Sequence, residues 1–168
     1  MDWSGILYGR LRQGGIRYFV HVPDSPLSRL ISLAGADAEA ILLPATREEE
    51  GVGIAVGVHL GGGRAAVLMQ TSGLGNTLNA LASLAIPYRI PLLMVISLRG
   101  EPGEWNAAQV PMGRATRPVL EALGLPHATL TAAGEIPELV PSLTDVAFRT
   151  RTPAALLLSK RLTAGPPP

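Results

Sequence analysis

Short apolar runs alternate along the chain with longer segments in which apolar residues recur at helical spacing. The run at residues 92–96 is continuously apolar, as expected of a strand that is covered on both faces. Glycine and proline residues close most of the intervening segments, which is typical of helix ends. The pattern predicts strands at residues 18–22, 40–43, 64–69, 92–96, 127–130 and 154–158.

Helices are predicted between these strands, so that the two kinds of element follow one another in turn. Alternation of this kind produces βα units with right-handed crossovers. The chain is therefore predicted to be an α/β protein with a doubly wound, six-stranded, mainly parallel sheet and helices on both faces. The predicted helices cover residues 4–13, 26–34, 47–60, 77–86, 112–123 and 136–149.

Polar residues and glycines accumulate directly after several predicted strands. In doubly wound sheets, ligands bind beyond the carboxyl ends of the strands. The segments 21–25, 46–50, 71–76 and 97–109 lie in that position. The last of them belongs to the longest irregular stretch, and loops of that length inside a domain are usually functional. We expect the site to be built from these four segments.

The composition fits one folded domain and excludes several classes of function. Of the 168 residues, 47% are hydrophobic and 16% are charged, and the formal net charge is +1. No block of Lys or Arg indicates nucleic acid or an anionic membrane, and no apolar run reaches membrane-spanning length. Cysteine is absent, which excludes disulfides and thiolate sites, and the histidines show no metal-ligand spacing. We expect one domain at residues 1–162, a disordered Pro-rich tail at 163–168 and a cytoplasmic location.

Three consecutive acids, Glu48, Glu49 and Glu50, open the third predicted helix. Thr46 followed by Glu49 fits a capping box, in which Glu49 reaches back to the amide of Thr46. Glu50 is expected to be solvated. Glu48 falls on the same helical face as Val52, which is the buried side, and a buried carboxylate needs a partner or a proton. Periodicity leaves open whether Glu48 is functional or an ordinary helix-start acid.

The glycines at residues 51–57 look at first like a dinucleotide-binding fingerprint. That fingerprint needs its glycines in the turn between strand and helix and an acid after the next strand. Here glutamates precede the glycines, and the next strand leads into Gln70 and Thr71. A nicotinamide-dependent oxidoreductase is thus the disfavoured alternative, and the glycines are expected to let the helix pack close to a neighbour. Residues 71–76 are predicted to form a turn whose backbone approaches a ligand, with a plain tight turn as the alternative.

These motifs together resemble the thiamine diphosphate-dependent 2-oxoacid decarboxylases, in the domain that holds the aminopyrimidine of the cofactor. Glu48 and Gly57 match the spacing of a glutamate and a glycine in that family, and residues 71–76 match its Thr-Ser-Gly turn. Residues 22–25 are similar to the Val-Pro-Asp-Ser of phosphonopyruvate decarboxylases. With the segment 108–116 added, the motifs in this order most resemble alpha subunits of sulfopyruvate decarboxylases.

The resemblance implies roles for particular side chains. Glu48 is implied to hydrogen-bond the pyrimidine ring of thiamine diphosphate, which activates the cofactor, and Asp24 to act near the proton transfers at the substrate. The substrate carries a second anion, which Arg114 or Arg99 could bind. The other implied contacts are with the cofactor, at Thr71, Ser72, Gly73, Leu74 and Asn76, and with the substrate, at Ser25 and Gln109.

The family's Gly-Asp-Gly motif, which binds diphosphate and Mg²⁺ together with a downstream Asn, does not occur in this sequence. The resemblance therefore implies a split enzyme, in which a separate beta subunit holds the diphosphate and Mg²⁺. Pairs of each chain are expected in the assembly. The implied reaction converts 3-sulfopyruvate into sulfoacetaldehyde and CO₂. The alternatives are a phosphonopyruvate decarboxylase that gives phosphonoacetaldehyde and a non-catalytic or regulatory partner subunit.

Overall fold

Six parallel strands form the central sheet of the computed structural model, which describes residues 2–164. The strand order is β2-β1-β3-β4-β6-β5, and the prediction of a doubly wound, six-stranded α/β fold is confirmed. Residues 165–168 of the predicted tail lie outside the described residues. The strands are β1 (Tyr18–His21), β2 (Ile41–Pro44), β3 (Ala65–Gln70), β4 (Leu93–Ser97), β5 (His127–Leu130) and β6 (Ala154–Leu158).

Helices cover both faces of the sheet. Three of them, α1, α2 and α6, pack on one face, and α3, α4 and α5 pack on the other. A π-helical turn at Leu81–Ala85 extends α4, and 3₁₀ turns occupy Ser25–Leu27, Ala107–Gln109 and Ala133–Glu135. The helices are α1 (Trp3–Gln13), α2 (Ser28–Ala36), α3 (Glu48–Leu60), α4 (Thr71–Ala80), α5 (Val110–Ala122), α6 (Ile136–Thr150) and α7 (Lys160–Thr163).

The core lies in two layers, one on each side of the sheet. Successive residues of a strand point to opposite faces, so Phe19 packs toward α1 and α2 while Val20 packs toward α3. Every residue of β4 and β6 is buried, as the continuous apolar runs predicted. Each fully buried Leu or Phe contributes roughly 1.5–3 kcal/mol relative to an exposed side chain. Packing of these two layers fixes the position of the sheet edge at which the site lies.

The start of α4 differs from the prediction. Residues 71–76 are the first turns of a helix that begins at Thr71, and they do not form a separate turn before residue 77. Leu74 is fully buried in the layer beneath α3, and the hydroxyl of Thr77 donates to the carbonyl of Leu74. Burial of these side chains offsets the cost of two glycines in a helix, which is about 1 kcal/mol each. Tertiary packing therefore decides the conformation of this segment.

The predicted capping box at α3 is wrong. The N-cap residue is Arg47, and Glu50 is the acid whose Oε2 accepts a hydrogen bond from the Thr46 amide at 2.7 Å. Glu49 instead forms an exposed ion pair with Arg47, with 3.2 Å between Oε1 and Nε. The helix begins at Glu48, later than the capping box requires, so Glu50 is the acid that reaches back to Thr46. Glu49 therefore has no capping role, and Glu50 is not merely solvated.

The strand order reverses between β1 and β3, since the chain first adds β2 on one side of β1 and then β3 on the other. At such a switch point the connections leave in opposite directions and open a crevice beyond the carboxyl ends of the strands. The segments that follow β1, β2, β3 and β4 meet at this edge. No helix of the described residues is both long and apolar enough to span a membrane.

Candidate active site

Glu48 is a buried carboxylate at the first position of α3. Its exposed fraction is only 9%, and it lies on the helical face of the buried Val52 and Ala55, as the periodicity predicted. The amide of Asn76, on α4, donates a hydrogen bond of 2.8 Å to Oε2 of Glu48. The start of a helix also favours negative charge through the helix dipole. Two neighbouring helices thus place and orient one carboxylate.

Gly73 supplies the space for this carboxylate. A Cβ built on Gly73 would lie 2.5 Å from Cγ and 2.6 Å from Oε1 of Glu48, closer than non-bonded atoms approach. The carboxylate can therefore take this position between the two helices only because residue 73 has no side chain. The result is a buried acid beside a stretch of bare helix backbone.

Asp24 is held at the switch point by two hydrogen bonds. The amide of Gln70, the last residue of β3, donates to Oδ1 at 3.2 Å. The hydroxyl of Ser97, the last residue of β4, donates to Oδ2 at 2.7 Å. The Asp24 carboxylate therefore links the segment that follows β1 to the last residues of β3 and β4. Ser72 extends this network by donating from its hydroxyl to Oε1 of Gln70 at 2.8 Å.

Thr71 ties the long loop after β4 to the start of α4. It is fully buried, and its hydroxyl donates to the carbonyl of Ser97 at 2.8 Å. The same oxygen accepts from the backbone amide of Arg99 at 3.0 Å. A buried hydroxyl with both a donor and an acceptor partner fixes the backbone around it. The path of the loop beyond Ser97 is thereby set relative to Asp24.

Arg99 and Glu104 form a two-pronged ion pair inside this loop. The Nε and Nη2 atoms of Arg99 donate to the two carboxylate oxygens of Glu104 at 2.9 and 3.1 Å. The Glu104 side chain is only 4% exposed. Hydrogen bonds from Arg99, and then from the backbone amides of Asn106 and Gly100, lower the pKa of Glu104 to about 2. Hydrogen bonding to Glu104 in turn raises the pKa of Arg99, with a smaller contribution from the charge of Asp24.

The remaining residues that were predicted from the sequence differ in their positions relative to the cleft. Ser25 is exposed and lines the cleft next to Asp24. The side chain of Leu74 points into the core and not toward the cleft. Gln109 ends the 3₁₀ turn before α5, and Arg114 is exposed on that helix. Among the described residues, neither of them has a side-chain hydrogen bond to Glu48 or Asp24.

Sequence reasoning did not single out Gln70, Ser97 or Glu104 as members of the site. Gln70 and Ser97 are polar residues at the last positions of otherwise apolar strands, and that position was the available signal. Glu104 lies in the 97–109 segment that was expected to contribute to the site, but nothing marked this residue individually, because its contact with Arg99 depends on how the loop folds. Nothing in the spacing of these residues indicates that they converge.

His21 ends β1 and lies beside the same edge. It is 9% exposed, and its Nδ1 atom has no hydrogen-bond partner within the described part of the chain. Burial lowers the pKa of His21, so the neutral form is favoured. It lines a cleft with Pro23, Asp24 and Ser28. No group of three or more metal-ligating side chains occurs among residues 2–164.

The site can therefore orient two carboxylates, Glu48 and Asp24, by separate hydrogen-bond networks on one edge of the sheet. Glu48 lies beside bare helix backbone, whereas Asp24 lies at the opening next to Ser25. An arrangement of this kind can bind a polar ring at one carboxylate and transfer protons at the other.

Comparison with known protein families gives a match over most of the chain. Residues 1–109 match the N-terminal TPP-binding domain of thiamine pyrophosphate enzymes. The sulfopyruvate decarboxylase subunit alpha of Methanothermobacter thermautotrophicus is 44% identical over 158 residues, which cover 94% of this chain and 96% of the relative. Residues 1–109 include every site residue described above except Arg114.

A second relative and a solved structure align with only part of a longer chain. The phosphonopyruvate decarboxylase of Streptomyces viridochromogenes is 40% identical over 108 residues, which cover 64% of this chain and 27% of that enzyme. The 2-oxoglutarate:ferredoxin oxidoreductase of Magnetococcus marinus superposes with a TM-score of 0.78 at 15% identity, covering 97% of this chain and 29% of that chain. At that identity, the superposition shows a shared fold.

Proposed function

The chain belongs to the thiamine pyrophosphate enzyme family, through its N-terminal TPP-binding domain, and on this basis we propose that it is the alpha subunit of a 2-oxoacid decarboxylase. The proposed reaction converts 3-sulfopyruvate into sulfoacetaldehyde and CO₂, and a separate beta subunit completes the site. The observation that carries the proposal is the buried carboxylate of Glu48, oriented by Asn76 against the bare backbone of Gly73.

The residues around Glu48 fit the pyrimidine ring of thiamine diphosphate. An ionised carboxylate offers about four acceptor positions, and Asn76 uses one of them. The missing side chain at Gly73 leaves room for the Glu48 carboxylate itself, which would meet the ring from its place between α3 and α4. Ser72 and Asn76 add polar groups along the first turns of α4. Thr71 instead contributes by fixing the first turn of the helix, because its buried hydroxyl is hydrogen-bonded to Ser97 and Arg99. Leu74 contributes to the cofactor site by anchoring that turn in the core, since its side chain is fully buried.

Thiamine diphosphate, when bound, supplies the electron sink that a 2-oxoacid needs to lose CO₂. The residues of this chain would hold the cofactor and protonate the substrate. Glu48 would accept a hydrogen bond from the pyrimidine ring and so stabilise a proton on that ring. Its restricted orientation, fixed by Asn76, keeps this hydrogen bond in one geometry. Burial of the carboxylate excludes water that would compete for it.

Asp24 is proposed to handle the proton at the substrate. The hydrogen bonds from Gln70 and Ser97 hold its carboxylate at the mouth of the crevice, next to Ser25. Protonation at the substrate carbon after CO₂ leaves requires an acid within reach of that carbon. Ser25, Gln109 and Arg114 are proposed to contact the substrate from the rim of the same opening.

A separate beta subunit is proposed to hold the diphosphate and Mg²⁺. The Gly-Asp-Gly motif is absent from this sequence, and no metal-ligating cluster occurs among the described residues. The single-chain relative from Streptomyces uses only 27% of its length for the region that matches here. Its remaining length could carry the functions that a second chain would supply in this case.

The surface of α3 supports such an interface. Gly51 packs against Val67 and Val20 of the sheet, which agrees with the predicted close packing of this helix against a neighbour. Gly53 and Gly57 are exposed, and a Cβ on either of them would have no neighbour within 4 Å. These two residues therefore form a smooth surface that the described part of this chain leaves uncovered. We assign it to the beta subunit, in an assembly with pairs of each chain in the cytoplasm.

The test is reconstitution. The chain should be co-expressed with a candidate beta chain that carries Gly-Asp-Gly and a downstream Asn, and the complex assayed for CO₂ and aldehyde release from sulfopyruvate. Its mass gives the stoichiometry. Glu48→Gln, which keeps the shape of the side chain, should reduce turnover by a factor on the order of 10² or more. Full activity of that variant would indicate a non-catalytic subunit and overturn the assignment.

Phosphonopyruvate is the second candidate substrate. The observations in its favour are the 40% identity to a phosphonopyruvate decarboxylase over 108 residues and the Val-Pro-Asp-Ser segment at residues 22–25. Both substrates carry a second anion on the carbon next to the keto group. The ratio of kcat/KM for the two, measured on the assembled enzyme, decides between them. Family membership argues against the nicotinamide-dependent alternative.

A further inference from the structure

We propose that Arg99 binds the second anionic group of the substrate, a sulfonate or a phosphonate, and that Glu104 is the positioning residue that holds the guanidinium ready. The proposal rests on the proposed function, because it concerns the substrate of the same site. It selects Arg99 as the main anion contact from the two arginines that the sequence offered, Arg99 and Arg114.

The geometry of the ion pair leaves Arg99 with donors to spare. A guanidinium has five N–H groups in a fixed plane. Nε and one N–H of Nη2 face Glu104, which leaves the two N–H groups of Nη1 and one of Nη2. Those three lie on the edge of the plane away from the carboxylate. An oxyanion with several acceptor oxygens is the natural partner for them.

Glu104 is satisfied independently of any ligand. Its oxygens accept from Arg99 and also from the backbone amides of Gly100 and Asn106, at 3.3 and 3.1 Å. The carboxylate of Glu104 already accepts four hydrogen bonds and needs no further donors from Arg99. The guanidinium can therefore interact with a second anion as well. The 4% exposure of Glu104 means that this arrangement is built into the fold of the loop.

Arg99 lines a cleft that shares Ser25 with the cleft at Asp24. The cleft has a volume of about 260 Å³ and is lined by Arg99 and Glu104 together with Ser25, Trp105 and Lys160. Ser25 directly follows Asp24, so the opening continues from the proposed proton-transfer site. A second cation at Lys160 and a hydroxyl at Ser25 suit an oxyanion. A short 2-oxoacid with an anionic end could thus reach Asp24 and Arg99 at once.

Arg114 lacks comparable support. It is exposed on α5, and the described residues give it no carboxylate partner that would fix its side chain. A long side chain that is free to move loses more rotamer entropy when it binds. Arg114 is therefore assigned a weaker contact at the rim.

The experiment compares variants of the assembled enzyme on two substrates. Arg99→Met should lower kcat/KM for sulfopyruvate by a factor on the order of 100, the worth of a pair of charge-assisted hydrogen bonds. The slow turnover of pyruvate, which lacks the second anion, should change by less than about threefold. Glu104→Gln should raise KM for sulfopyruvate and leave kcat nearly unchanged. Arg149→Met, which breaks an exposed pair with Asp145 on α6, is the matched control.

A binding measurement separates this proposal from the proposed function. Calorimetric titration of the complex with 3-sulfopropanoate, which cannot be decarboxylated, should show binding that Arg99→Met removes. If sulfopyruvate is turned over but Arg99→Met leaves its KM and the titration unchanged, the anion subsite is wrong and the function stands. If nothing is turned over but the titration depends on Arg99, the function is wrong and the subsite stands. If Arg99→Met lowers kcat/KM equally for sulfopyruvate and for pyruvate, Arg99 only maintains the structure of the loop, and the proposal is overturned.

Discussion

The carboxylate of Glu48 occupies the space that a side chain on Gly73 would need. The two residues lie on different helices, α3 and α4, and the ideal Cβ of residue 73 would fall 2.5 Å from Glu48 Cγ. The hydrogen bond from Asn76, one turn further along α4, orients the same carboxylate. One helix therefore provides both the space for the acid and its orientation, and this makes the position sensitive to a single methyl group.

Gly73→Ala should displace the Glu48 carboxylate and reduce kcat by a factor on the order of 100, since small misplacements of a reacting group cost that much. The clash is with a side chain that can move, so thermal stability should change little. Gly75→Ala is the matched control on the same helix, because its Cβ would meet only the Met112 side chain at an ordinary 3.5 Å. Steady-state rates and melting curves of both variants test the idea. Equal rates in the two variants would contradict it.

Gly113→Ala should destabilise the fold by about 1–3 kcal/mol, as overpacking does. A Cβ there would run into the carbonyl oxygen of Arg99 and the Cα of Gly100, which are backbone atoms and cannot rotate away. Chemical denaturation measures the loss. Gly9→Ala in α1 is the control, since nothing lies within 4 Å of its Cβ, and it should stabilise by up to about 1 kcal/mol. A Gly113→Ala protein as stable as the wild type would disprove the close contact.

Gly57→Leu should leave the isolated chain as stable as the wild type but weaken its association with the beta subunit. The position is exposed, and a Cβ there would have no neighbour within 4 Å among the described residues, so a larger side chain can extend into solvent. At an interface of close-packed helices the same side chain would hold the surfaces apart. Gly9→Leu provides the comparison on α1. Unchanged affinity of Gly57→Leu in a pull-down or calorimetric titration would move the interface elsewhere.

Acid should destabilise the protein in part through Asp37. The hydroxyl of Tyr8, the amide of Glu39 and the guanidinium of Arg12 donate to its carboxylate and lower the pKa of Asp37 from 3.8 to about 2. The unfolded chain therefore binds the proton more tightly, so the stability from this group is complete above about pH 4 and is lost as the pH falls toward 2. Denaturant unfolding at several pH values measures this loss.

Asp37→Asn should flatten that part of the pH dependence, because the group that takes up the proton is gone. Asp145→Asn is the matched control, since it breaks an exposed pair with Arg149, and exposed pairs contribute little. An Asp37→Asn protein whose unfolding free energy falls as steeply as that of the wild type between pH 4 and 2 would refute the assignment.

Much of the fold could be predicted from the sequence because its strands are apolar and well separated. The bounds of β5 and β6 agree with the structure residue for residue. Burial on both faces leaves a continuous apolar run in β6, whereas β5 is a partly buried edge strand that follows Gly124 and Pro126. The predicted helix start at residue 77 was wrong, since α4 begins at Thr71. A segment with two glycines resembles a turn when its neighbours are unknown. Only packing of Leu74 into the core makes that segment helical.

The site was predictable to a lesser degree. The buried face of Glu48 follows from periodicity, and its spacing to Gly57 led to the family. The hydrogen bonds that join Asp24 to Gln70 and Ser97 depend on strand order, which periodicity does not contain. The exchange of roles between Glu49 and Glu50 depends on where α3 begins, and a difference of one residue there changes which acid reaches Thr46.

The hydrogen bonds that orient Glu48 and Asp24 all come from donors within this chain. These two side chains are thus oriented by this chain alone, and the proposed assembly with a beta subunit need not order them. Ordering a rotamer-rich side chain at an interface costs about 0.5–1.5 kcal/mol, so affinity for the beta subunit is not reduced by that cost at these two positions. An alpha chain released from one complex should keep its half of the site intact and be able to join another without a slow rearrangement.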